Sequence, residues 1–325
     1  TNWNVSSTPG SGTELKFRTG GDQGTYYGFG SVLAQAITTN GNGTKVTAVV
    51  SNGSQDNIEQ MDLNTAQLGF VQSDVMSYAY NGERLFEGYP VTDFSTVAAL
   101  YMEQVQIVTC DPDIKTVADL KGKTVAVSSG TSSEIILEQA LARAGMTMDD
   151  INTVEMTVDG MTTAMISGQI DAAASWSPNT VTLQNALGDN YVDLGTNADF
   201  LDSAIFPSSY ICTPEYAEAN HDILVRFAQA LDKAHDWRAA HPEEMAKLLA
   251  KELDAPEDTM LAAVGEADWQ TITEVCGDMD AIKTVYETQQ GIFLDNGTIT
   301  ENVPVEDYVL FDVMQEAYDA YSAAK

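Results

Sequence analysis

The chain has 325 residues, 44% of them hydrophobic, which is enough to bury a large core and favours two α/β lobes over one compact domain. Against 15 Lys and Arg stand 48 Asp and Glu, and the resulting charge of -33 excludes nucleic acid and anionic membrane as the main partner, because both would repel it. No run of about 18 apolar residues exists, so the sequence offers no membrane-spanning helix.

Residues 1–14 are rich in Ser, Thr, Gly, Asn and Pro and read as a flexible leader, of the kind found where a signal is removed or a lipid tethers the chain. Residues 15–18 then predict a strand, 19–25 a small polar turn and 26–37 a helix. A Gly41-Asn42-Gly43 turn, a strand over 45–50, a helix over 54–64 and a strand over 68–71 complete a βαβαβ pattern, which signals a parallel sheet with right-handed crossovers. Helix 74–81 follows with Ser73 as N-cap. Strands at 95–101 and 104–109 come next, the second leaving the first lobe.

The pattern restarts at strand 124–127, turn 128–133 and helix 134–144. Strand 154–158, helix 160–167, strand 172–176, helix 180–186 and strand 191–194 continue it. Strand 210–213 returns the chain to the first lobe, and helices at 215–219, 222–240, 245–253, 260–266, 279–290 and 308–323 follow without intervening strands. Such helices pack on the first sheet, so lobe 1 is expected over 15–109 and 213–325, and lobe 2 over 110–212. Two strands crossing between lobes make a hinge, with a ligand cleft between the lobes.

Both polar turns leave backbone N–H groups unpaired at a helix start, where a polar or anionic group can approach closely. The first, GGDQGTYY from Gly20, offers Gly21, Asp22, Gln23, Thr25 and Tyr26; its glycine spacing does not fit a dinucleotide fingerprint. The third strand ends in Gln72-Ser73-Asp74, at the edge where open α/β sheets hold ligands. The second turn, Ser128 to Ser133, offers Ser129, Thr131, Ser132 and Ser133. Trp176 and Ser177 end a later strand, where the indole stacks on a ligand or fills core; Tyr210 and Phe206 line the cleft or pack the hinge.

No catalytic set is visible. His221, His235 and His241 all fall in the helical C-terminal part, away from any nucleophile motif, and His235 lies on an apolar stripe as a core residue. No metal-binding spacing occurs, and no cofactor is implied. Cys110 and Cys212 sit on the two crossing strands and, if those are neighbours, either pair as a disulfide or stay buried as thiols. The acidity chiefly solvates the surface, with halophilic adaptation or a cationic ligand as alternative causes.

Several segments carry a family resemblance. GGDQGTYYGFGSVLAQAI and GFVQSDVMSYAYNG resemble the TRAP-associated extracytoplasmic immunogenic receptors. DLKGKTVAVSSGTSSEIILEQALARAGM is similar both to those and to the nitrate, sulfonate and taurine type receptors of ABC transporters, and GQIDAAASWSPNTVTLQNALG looks more like the latter. The resemblance implies a two-lobed type II periplasmic binding protein fold and a non-enzymatic receptor. Such a receptor captures a small polar organic solute (an amino acid, a sulfonate, another zwitterion or anion, or an amine) by hinge closure and delivers it to an ABC importer. It implies a monomer outside the cytoplasm, periplasmic or lipid-anchored, with a membrane permease as partner. A TRAP-type tripartite transporter is the alternative, and a sensor or enzyme on the same fold the more distant one. Carried over by position, the ligand-binding residues are Gly21, Asp22, Gln23, Thr25, Tyr26, Gln72, Ser73, Ser129, Thr131, Ser132, Ser133, Trp176 and Ser177. Asp22, Asp74 and Glu134 bring negative charge to these loops and no arginine lies in any of them, so an amine or zwitterion fits as well as a simple anion.

Overall fold

The computed structural model describes residues 14–22, 24–40, 44–102, 104–129, 131–200, 207–252, 255–266, 270–295, 297 and 299–325. The expected leader up to residue 13, and Gln23, Gly130 and Phe206, lie outside them; Glu14, assigned to the leader, instead opens the first strand.

The chain divides into two compact units, Thr1–Tyr101 with Pro207–Lys325, and Met102–Phe206. The first begins with β1 (Glu14–Arg18), α1 (Thr25–Asn40), β2 (Lys45–Val49), α2 (Ser54–Asp62), β3 (Leu68–Gln72), α3 (Ser73–Asn81) and β4 (Ser95–Met102). The second contains β5 (Gln106–Thr109), β6 (Thr124–Val127), α4 (Ser132–Arg143), β7 (Asn152–Glu155), α5 (Val158–Ile166), β8 (Ala172–Ser175), α6 (Asn179–Leu187) and β9 (Val192–Thr196). The chain then completes the first unit with β10 (Pro207–Cys212), α7 (Pro214–Ala219), α8 (His221–Ala240), α9 (Pro242–Glu252), α10 (Glu257–Ala263), α11 (Ile272–Cys276), α12 (Met279–Asp295) and α13 (Phe311–Ala323).

One plan is used twice. The sheets run β2-β1-β3-β10-β4 and β7-β6-β8-β5-β9. In each, a parallel trio built by βαβ crossovers is joined by one antiparallel strand, β10 against β3 and β5 against β8, and that strand is the first the chain makes after crossing over from the other unit. This corrects the expected lobe limits. Residues 106–109 belong to the second sheet, and residues 207–212 to the first. It also separates the two cysteines: β5 and β10 lie in different sheets, and Cys110, Cys212 and Cys276 are all free thiols.

The first core is a chain of aromatic rings across the sheet. Phe17 of β1 meets Phe70 of β3 at 4.5 Å between centroids, Phe70 meets Tyr210 of β10 at 4.9 Å, and Tyr210 meets Phe227 of α8 edge-on at 5.6 Å. Leu33 and Ala34 of α1 and Val313 and Ala317 of α13 close around them. Each such ring removed from water contributes roughly 1.5–3 kcal/mol. The second core is finer grained: β8 reads Ala-Ala-Ala-Ser, all buried, and Met161, Met165 and Leu183 pack in the space those small residues leave.

Local rules account for most element starts. Thr131, Thr157, Thr213 and Thr271 cap α4, α5, α7 and α11, each accepting from a backbone N–H of the first turn. Two expectations fail on the same ground. Ser73 is not a cap but the first helical residue of α3, after Gln72, which makes no side-chain capping bond. The strand expected over 154–158 is β7 at Asn152–Glu155, because Thr157 caps α5 and ends extended structure early.

Candidate functional site

In the first unit the carboxyl ends of β1, β2 and β3 meet the starts of α1 and α3. The Thr19 N–H and hydroxyl both donate to Val49 O, at 3.1 and 2.8 Å, and the Ser51 N–H donates to Gly20 O at 2.9 Å, so the β1–β2 pairing continues into the turn. The Gly24 N–H closes the turn onto Gly21 O at 2.8 Å. Asn57 of α2, fully buried, donates from its one amide nitrogen to Thr19 O at 2.7 Å and Phe70 O at 2.8 Å, fixing the ends of β1 and β3 together. Arg18, the last residue of β1, is ion-paired to Asp56.

On this frame Gly21 and Asp22 are exposed, and Thr25 and Tyr26 half-buried. The Tyr26 hydroxyl donates to Ser208 Oγ at 3.0 Å and its ring packs on Phe70. Gln72 and Ser73 are buried: the Gln72 N–H donates to Ser54 Oγ at 3.0 Å, and the Gln289 amide donates to Ser73 Oγ. Asp74 has no exposed surface at all.

The second unit has a parallel arrangement at the ends of β7, β6 and β8. Thr131 donates to Ser128 O at 2.7 Å while accepting from the Ser133 N–H, and the Ser133 hydroxyl accepts from the Ser128 N–H at 3.2 Å. Ser132 and Ser133 are buried, and Thr131 half-buried. Ser129 faces out, and its donors meet a residue the sequence reading passed over: its N–H lies 3.0 and 3.1 Å from the two Glu155 carboxylate oxygens, and its hydroxyl donates to Oε2 at 2.7 Å. Glu155 ends β7 and is itself exposed. Trp176 and Ser177 are half-buried, and the Trp176 carbonyl accepts the N–H groups of Asn179 and Thr180 as α6 begins. Asn179 accepts at Oδ1 from the Thr162 hydroxyl at 3.1 Å.

The structure thus groups Gly21, Asp22, Thr25, Tyr26, Gln72 and Ser73 at one unit's strand ends, and Ser129, Thr131, Ser132, Ser133, Trp176 and Ser177 at the other's. The sequence reading missed Ser208 beside Tyr26, Asn57 beneath the first turn and Glu155 at the second. Ending β7 at 155 would have exposed Glu155 through the strand-end rule.

The other buried ionisable groups lie away from these turns. Asp232 and His235 of α8 and Cys276 of α11 line one small cavity. Burial, with Asp236 nearby, raises Asp232 to about 7; burial, with Arg238 nearby, lowers His235 to about 3; burial lifts Cys276 to about 12. Among the described residues no group of three His, Cys, Asp or Glu is placed to hold a metal ion.

The model of the NMT1-like family matches residues 17–187, from β1 through α6, and so takes in both turns. The chain belongs to the NMT1-like family. As a member it is 36% identical over 137 residues to a candidate binding protein of Brucella abortus (strain 2308), a match covering 42% of this chain and 43% of that relative, so the aligned stretch spans less than half of the relative's length. Its fold is that of the periplasmic nitrate-binding protein NrtA from Synechocystis PCC 6803 (TM-score 0.74, 12% identity, 96% of this chain and 90% of that one). It is equally that of the periplasmic aliphatic sulphonate binding protein SsuA from Escherichia coli (TM-score 0.64, 21% identity, 91% of each chain). The desulfurization enzyme DSZB has this fold too, at TM-score 0.64 and 16% identity over 95% of this chain and 99% of that one, so the fold alone does not separate binding from catalysis.

Proposed function

We propose that the chain is an extracytoplasmic solute-binding receptor that captures a small polar organic solute by hinge closure and delivers it to a membrane ABC importer, without chemistry on the solute. The observation that carries this reading is the repeated one: each unit ends a parallel trio of strands in a short polar turn at a helix start, with Gly21 and Asp22 facing solvent in one and Ser129 in the other. The NMT1-like membership and the named functions of SsuA and NrtA support it. Against catalysis, the three histidines of the chain, His221, His235 and His241, all fall within or next to α8, and neither turn contains a cysteine. Among the described residues no helix is long and apolar enough to cross a membrane.

The test is native mass spectrometry of the purified chain, followed by release of any bound molecule under denaturing conditions and a thermal-shift titration with it. A small solute bound to the folded chain and raising Tm as its concentration exceeds Kd is the expected result. Turnover of that solute by the chain would overturn the reading.

A further inference from the structure

The carboxyl edge of the second sheet is chemically one-sided. In register, β6 sets Val127 beside Glu155 of β7 and Val125 and Ala126 beside Ala172 and Ala173 of β8, so Glu155, the Ser128-Ser129 turn and Ser175 fall side by side along that edge. Three carboxylates stand there: Glu155, Glu134 in the first turn of α4 and Asp159 in the first turn of α5. The unit's only Lys and Arg residues are Lys115, Lys121, Lys123 and Arg143. The three lysines precede β6 and Arg143 ends α4, so all four belong to the opposite edge; Lys121 and Lys123 are paired to Asp150 and Asp111, and Arg143 donates to Asp199 O.

The amide and hydroxyl of Ser129, which an anionic ligand group would use, already hold the Glu155 carboxylate. A second observation comes from beneath. Ser175 Oγ, Thr180 Oγ1 and Asn179 Nδ2 belong to residues more than nine-tenths buried at the β8–α6 junction, and none of these atoms has a hydrogen-bond partner among the described residues. Buried polar atoms are ordinarily satisfied, so three at one strand end mark a place built for an outside polar group.

Resting on the receptor reading above, we infer that the solute presents a positively charged, hydrogen-bond-donating nitrogen, an ammonium or amidinium, to Glu155. Ser129 orients the carboxylate, and the buried hydroxyls meet the neighbouring polar atoms of the solute. A simple anion at this edge would face Glu155 across a turn without a compensating cation and would have to displace the carboxylate from Ser129.

The experiment is calorimetric titration of the wild-type chain and of Glu155→Gln with four probes on one ring, benzylamine, benzamidine, benzoate and benzenesulfonate, with nitrate as a fifth. Gln at this exposed position keeps an acceptor for Ser129 while removing the charge, and circular dichroism confirms that the variant is folded. The expected result is binding of a cationic probe by the wild type and a loss of at least about tenfold in that affinity in E155Q. Binding of nitrate, benzoate or benzenesulfonate in preference to both cations, or equal cation affinity in E155Q, overturns the inference and leaves the receptor reading standing. Binding of no probe by either protein overturns the inference, whereas the receptor reading fails only on the separate finding of turnover.

Discussion

Gly30 of α1 lies against Thr19 so closely that a Cβ at position 30 would stand 2.5 Å from Thr19 Cγ2 and 3.1 Å from the Phe70 ring. The helix is therefore seated on the first turn by the absence of a side chain, and that approach fixes where Tyr26 meets Ser208.

Gly30→Ala is expected to destabilise the chain by about 1–3 kcal/mol, overpacking outweighing the roughly 1 kcal/mol that Ala gains over Gly in a helix. Urea unfolding measures it. Thr19→Ser removes the clashing methyl while keeping the hydroxyl that donates to Val49 O, so the double variant should recover most of the loss; no recovery would mean that Phe70, not Thr19, sets the approach.

Asn57→Ala leaves the carbonyls of Thr19 and Phe70 without their donor in a fully buried place. A loss of about 2–4 kcal/mol is expected, since two buried acceptors go unpaired at about 1–3 kcal/mol each. Asn57→Asp should cost at least as much, because it replaces the donor with a charge. Thermal or urea denaturation of both variants checks the order.

Asp232 and His235, one turn apart on α8, impose opposite pH slopes. Asp232 is raised to about 7 from an unfolded value near 3.9, so its contribution is intact below about pH 4 and stability falls as pH rises toward 7. His235 is lowered to about 3 from about 6.5, so its contribution is intact above about pH 6.5 and falls as pH drops toward 3. Around them stand Asp236, Arg238 and Lys325, with Cys276 across the cavity and Tyr321 bonded to Asp236. Between pH 4 and 6.5 the two slopes oppose one another. Asp232→Asn should therefore raise stability at pH 8 and expose a clear loss on acidification below pH 6.5, read from urea midpoints across that range; an unchanged profile would show that Asp232 does not titrate in the fold.

The three thiols should respond unequally to a disulfide reagent at pH 8. Burial pushes Cys212 and Cys276 up to about 12, and Cys110 is raised less strongly, again by burial. Native protein is expected to react slowly, Cys110 first, and to release all three equivalents at once in guanidinium. Fewer than three on unfolding would reveal a bridge.

Much of this was readable from residue pattern. The two polar turns announced both parallel trios because Gly, Ser and Thr between an apolar run and an amphipathic helix have few other uses. The stripe of Leu224, Phe227, Ala228, Leu231, Ala234 and His235 gave α8 its buried face, with His235 5% exposed and Ala234 only half-buried. What stayed hidden depended on pairing across distance. Residues 106–109 and 207–212 both read as strands, but only sheet order reveals that each is inserted antiparallel into a trio. The short α11 has five residues, too few to show a period. Glu155 was lost because Met156 and Thr157 prolong an extended-looking run, and only the capping bond from the Gly160 N–H to Thr157 shows where it ends.

The place of β10 has a consequence for how the chain comes to be folded. In the first sheet β4 is joined through β10 alone, and β10 is synthesised more than a hundred residues after β4 begins. The second unit, by contrast, is one uninterrupted stretch whose strands all lie within it. During synthesis the middle of the chain can therefore complete its sheet while the beginning still waits for β10, the strand through which β4 joins the rest, and the unit that starts first finishes last.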